Sequence, residues 1–266
     1  MSEITQNLVY PWRIFQEAWA LFTQQWKKFS VLYLIFGLPV ALLKLYSDAL
    51  PKENILAVVA IFILGIIISS WGSVANLISA DKTTNNESWE IGKSILASRV
   101  YALKFIVLIV SFYALVLFLT FGCGIVFYAG WMGFFKGHSL GLAAIIVSTL
   151  VLVAALVYGA VRWSLSGVVC VLEQSWPLAA LRGSNNLIKP HVSAMLKIYL
   201  LIIVTVIIYS LPVFIFKIIF NAQAQNATLF VRLANVYDIL IQSVFIPFVT
   251  LAMVLLYKKL KGMAIS

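Results

Sequence analysis

Three polar residues in an otherwise apolar stretch, Asn235, Asp238 and Gln242, are the residues in this chain whose types and spacing could do chemistry. At 100° per helical residue they fall within about 60° of one face. A carboxylate flanked by two amides on a membrane helix is suited to binding a solute or relaying a proton. The competing reading is a hydrated helix end, with Asp238 near the outer end of the last span and paired with Arg232. The position near a span end favours this second reading.

Little else in the chain offers chemistry. His138 and His191 lie near predicted membrane boundaries and outside any ligand spacing such as HExxH. Of nine acidic residues, eight flank spans or lie in loops, and no DxD pair marks a metal or phosphate site. There is no GxSxG elbow and no P-loop. Gly122, Gly124, Gly130, Gly133 and Gly137 suit close helix packing or a span end. Cys123 and Cys170 sit in apolar runs as small hydrophobes. The sequence therefore predicts no catalytic set, no cofactor and no metal.

Composition explains why. The 266 residues are 63% hydrophobic and 11% charged, with mean hydropathy +1.03. Soluble domains carry about 25% charged residues, so this chain has too few charges to cover a water-facing surface. The expected class is an all-α integral membrane protein forming a single domain over 1–266. Its net charge of +10 fits basic residues flanking spans better than a nucleic-acid partner, because no basic run interleaves with readout chemistry. No signal peptide is visible in the first 28 residues.

Six apolar runs are long enough to span, near 29–47, 54–73, 103–128, 138–161, 194–219 and 236–257. With the N-terminus inside, fourteen of the nineteen Lys and Arg residues fall on the inner side. The positive-inside rule then places both termini in the cytoplasm. Arg162 and Glu173 bracket an apolar segment too short to span, read as re-entrant or interfacial.

The segment PWRIFQEAWALFTQQWKKF (11–29) carries tryptophans at 12, 19 and 26 and phenylalanines at 15, 22 and 29. It has too few heptads for a coiled coil. Docking of a partner is a second reading. The favoured one is a helix in the membrane surface, with Trp12, Phe15, Trp19, Phe22 and Trp26 facing lipid or the bundle and Lys27 and Lys28 at the headgroups. Related segments precede the third and fifth spans. Trp71 and Asp81 near the end of the second span align with Trp163 and Glu173. The plan read from this is three approximate repeats, 8–83, 86–173 and 174–261, each a surface helix followed by two spans.

The segment RWSLSGVVCVLEQSWPLAALRGSNNLIKPHVSAMLKI (162–198) runs from an apolar stretch ending in Glu through a short helix and a basic turn into a span. FVTLAMVLLYKKLKG (248–262) closes the chain. Both resemble the membrane domain attached to some bacterial glycerophosphodiester phosphodiesterases and related stand-alone inner-membrane proteins. Lys258 and Lys259 stand where that family often has Asp. The phosphodiesterase domain is absent, so the resemblance implies a multi-pass protein of the bacterial inner membrane without that activity. The expected function is non-catalytic, with membrane lipids and another membrane protein as candidate partners. A small-solute transporter or channel is the alternative.

Overall fold

The computed structural model describes residues 11–50, 54–136, 139–221 and 227–265. Every regular element among them is helical, as the long apolar runs require. In hydrocarbon, backbone donors and acceptors must be satisfied within the segment, and a helix does this. The order is α1 (Pro11–Ala49), α2 (Ile55–Thr84), α3 (Ile91–Phe135), α4 (Ser139–Arg162), the short α5 (Ser166–Leu172), α6 (Pro177–Ile188), a 3-10 turn (Lys189–His191), α7 (Val192–Asn221) and α8 (Ala227–Ile265). Six stretches are long and apolar enough to cross a membrane. They pair in chain order as hairpins α1–α2, α3–α4 and α7–α8.

The first and third hairpins meet through α1, α2 and α8, while α3 leans on α2 and α4. Gly130 and Gly141 let α3 and α4 approach closely: a Cβ on Gly130 would lie 2.9 Å from both the Ala144 Cβ and the Gly141 carbonyl. Small residues at such crossings take the place of a hydrophobic driving force, which lipid does not supply.

Burial is uneven along the bundle. On α1 the buried positions run from Ile14 to Phe36, on α2 from Ser70 to Thr83, and on α8 from Ser243 to Leu260. The core therefore fills the end where the start of α1 and the end of α8 lie together. Toward the other end, large apolar side chains face outward, including Leu56, Leu117 and Phe118. In water such a surface would be unstable, whereas in acyl chains it costs nothing.

The sequence separated three surface helices from their spans, and the structure treats each differently. Segment 11–24 joins its span within α1, but Gln25 (φ −130°, ψ 19°) breaks the helical geometry between them. In the second unit nothing interrupts the chain, and α3 runs straight through 45 residues, or about 68 Å at 1.5 Å per residue. The residues 91–103 contain no proline, and Gly92 lies in the first turn, so nothing stops the helix from propagating. In the third, Pro190 sits in the 3-10 turn between α6 and α7, where its missing N–H stops a regular helix.

The segment between Arg162 and Glu173, read as re-entrant or interfacial, packs into the protein core. Seven of its residues form α5, and Val168, Val169, Cys170 and Val171 are all buried in the common core. Arg162 does not reach away from the protein: its Nη1 donates to Asn185 Oδ1 at 3.1 Å, and its guanidinium lies 5.1 Å from the Tyr158 ring.

Candidate functional site

The aromatic stripe of α1 divides into two faces. Phe15, Phe22 and Phe29 are buried, together with Ile14 and Ala18. Trp12, Trp19 and Trp26 are 61%, 48% and 49% exposed. The two sets are three residues apart, or about 60° around the helix, which is enough to send one set into the core and leave the other at its edge. Phe15 and Trp19 both meet Phe248 of α8 edge-on at 5.6 Å. Lys27 sits 5.9 Å from the Trp26 ring. Lys28 is tied down: its Nζ donates to the Trp89 carbonyl at 3.1 Å and lies 5.5 Å from the Trp89 ring.

Beside this stripe α1, α7 and α8 enclose a groove of about 670 Å³. Its walls are Trp12, Phe15 and Trp19 from α1, Leu201 from α7, and Leu240, Ile241, Val244, Phe245 and Phe248 from α8. Gln16, Thr205 and Tyr237 supply the few polar atoms. From Tyr237 to Phe248 the groove follows about 16 Å of helix, close to the roughly 15 Å that one leaflet contributes to the hydrocarbon core.

A second cleft of about 340 Å³ lies between α1, α2 and α8. Asp238 and Gln242 of the polar stripe both line it. Asn235 belongs to the same helix, with its side chain outside the described residues. α8 starts at Ala227, about 16 Å before Asp238 at 1.5 Å per residue, while the apolar stretch long enough to span begins at Val236, so Asp238 lies near the start of that stretch. Tyr33 donates to Gln242 Oε1 at 2.8 Å. Lys44, Ser69, Ser73 and Asn76 also border the cleft. The sequence reading passed over Tyr33, Lys44 and Asn76. Asn76 carried a usable signal, since a lone amide in WGSVANLIS is a polar group inside an apolar helix.

A third constellation was not foreseen. The last turns of α8 hold three lysines against three acidic residues from three other parts of the chain. Lys258 pairs with Asp81 at 2.7 Å and donates to Thr84 Oγ1 and Asn85 Oδ1 at the end of α2. Lys259 pairs with Glu17 of α1 at 2.6 Å. Lys261 pairs with Glu173 at 2.8 Å, and the Tyr257 hydroxyl donates to the same carboxylate at 2.6 Å. Burial alone would raise the Glu173 carboxyl. The hydrogen bonds from Lys261 and Tyr257 and the Lys261 charge outweigh it and hold Glu173 below the usual carboxylate range. All these groups are mutually satisfied, so the constellation fastens elements together and offers no open coordination.

Among the described residues no three His, Cys, Asp or Glu side chains gather where a metal ion could sit. Cys170 is buried and Cys123 half-buried, both as free thiols. No protein-family model, curated protein or solved structure matches the chain.

Proposed function

We propose that this is a non-catalytic multi-pass protein of a bacterial inner membrane that holds a lipid acyl chain in the groove between α1, α7 and α8. The groove itself carries the reading. It is apolar along nearly its whole length, matches one leaflet in extent, and has two exposed tryptophans at the end where α1 begins. Tryptophan favours the headgroup level, where its ring is apolar and its N–H meets water. An acyl chain entering beside Trp12 and Trp19 would lie along Leu240 and Val244. On this reading segment 11–24 rests in the cytoplasmic interface, and the kink at Gln25 turns the chain into its span. The resemblance to stand-alone inner-membrane relatives of phosphodiesterase membrane domains supports the same location.

The test is lipid retention. The full chain, purified in a mild detergent, is analysed by native mass spectrometry and lipid extraction. One to two phospholipids should remain bound. Filling the groove with Leu240→Trp and Val244→Trp should remove that lipid while the thermal transition is kept. Lipid-free wild-type protein, or retention unchanged in the filled variant, would refute the assignment. Stoichiometric co-purification of another membrane protein seated on Trp12 and Trp19 would shift the reading to partner docking.

A further inference from the structure

We propose that the cleft between α1, α2 and α8 binds a small zwitterion, with its ammonium group on Asp238 and its anionic group on Lys44. This site is separate from the acyl groove and does not rest on it. An ionisable side chain in a membrane helix is expensive and needs a partner. Asp238 and Lys44 border the same cleft, yet no ion pair within 4.0 Å joins the two; the side chain of Arg232, the partner read from the sequence, lies outside the described residues. Two opposite charges that share a cavity without neutralising each other match a ligand that carries both signs. The Lys44 stem is long and exposed enough to follow an anion.

The uncharged groups are arranged to serve the same ligand. The Tyr33 hydroxyl occupies Gln242 Oε1, which turns the Gln242 amide nitrogen into an available donor. Gly37 leaves room for this bond: a Cβ there would lie 2.9 Å from the Tyr33 ring, so the ring would have to shift from its place along α1. Asn76 is 3% exposed and spends its Nδ2 on the Gly72 carbonyl at 3.1 Å, while its Oδ1 is buried without a partner. A buried acceptor left unpaired costs about 1–3 kcal/mol; here it borders the cleft, where a ligand donor can meet it. At about 340 Å³ the cleft is near the small end of ligand sites, which span roughly 300–1,000 Å³. That volume suits a free amino-acid-like solute or the headgroup of an aminophospholipid, which share the ammonium–anion chemistry.

Calorimetric titration of the full chain in mild detergent tests this. The probes are β-alanine and phosphoethanolamine as soluble zwitterions and a short-chain phosphatidylethanolamine as the lipid source. Saturable binding is expected for at least one. Ethanolamine, which lacks the anion, and inorganic phosphate, which lacks the ammonium, should each bind at least about tenfold more weakly. Asp238→Asn and Lys44→Gln should each weaken the positive probe by about tenfold or more. Lys44 is exposed, so Lys44→Gln reads the site even if Asp238→Asn folds poorly. Binding of the soluble probes would assign a free solute, and binding of the lipid alone would assign a headgroup. Failure of all three probes, or binding indifferent to Lys44→Gln, would overturn the proposal. Loss of acyl-chain retention leaves it untouched.

Discussion

Glu173 shows how single side chains secure the densely packed end of the bundle. It accepts from Tyr257 and Lys261 together, and its carboxyl lies below the usual range. A carboxyl whose folded pKa is depressed stabilises the fold above its unfolded pKa, about 4.3 for Glu. That contribution disappears as pH falls through the folded value. Both partners are more than a third exposed, so screening keeps the gain within about 1 kcal/mol. Glu173→Gln should therefore lower the melting temperature in detergent by roughly 1–4 °C at pH 7. The difference between variant and wild type should shrink as pH falls below the usual carboxylate range and vanish once the folded carboxyl is protonated. A gap that persists at acid pH would mean that Glu173 acts through packing and not charge. None of these pairings was legible in the sequence. Asp81, Glu173 and Lys258–Lys261 each looked like ordinary charges flanking spans, and partners 84 or more residues apart leave no periodic trace.

At the scale of elements, α1 carries most of what the sequence revealed and what it hid. Its heptad of rings was plain, as were the apolar runs of all six spans, because hydrophobic length and period are local properties. The division of the rings into a buried phenylalanine face and an exposed tryptophan face was not, since both types are apolar and only the position of α8 distinguishes them. Where a surface segment ends was equally hidden: Gln25 is a competent helix former, and the break there is imposed by packing. The split gives a direct measurement. Single-tryptophan variants retaining Trp12, Trp19 or Trp26 should be strongly quenched by lipids brominated near the headgroup. A variant retaining Trp89 should not be, because that ring is 2% exposed, packed 5.0 Å from Phe29 and bonded through its N–H to Thr83. Quenching at Trp19 as weak as at Trp89 would show that segment 11–24 does not lie in lipid. The polar stripe was partly legible: Asp238 and Gln242 do line one cleft, but the residues that complete it, Tyr33, Lys44 and Asn76, come from other helices and leave no local trace.

For the whole molecule, the lysine-rich end of α8 constrains topology more tightly than hydropathy does. Its contacts gather Glu17 near the start of α1, Asp81 at the end of α2 and Glu173 just after α5 around the last turns of the chain. Ion pairs at 2.6–2.8 Å cannot join groups on opposite sides of a bilayer. The start of α1, the turn after α2, the turn after α5 and the end of α8 must then share one side, so between them the described residues cross an even number of times, in agreement with six spanning stretches. Geometry leaves open which side that is. With six spans fourteen of the nineteen basic residues fall on the side of the ion pairs, and on the positive-inside rule we propose that this side is cytoplasmic. Reporter fusions after Asp48, Lys136 and Asn221 should accordingly register outside, and those after Thr84 and Lys261 inside. A cytoplasmic signal after Lys136 with the others unchanged would mean that α3 and α4 enter and leave from the same face. The close Gly130–Gly141 contact would then be the tip of a hairpin that stops short of the far surface. Inversion of all five reporters would preserve the ion-pair argument and overturn only the charge argument, so the experiment separates what packing dictates from what the membrane potential and the insertion machinery select.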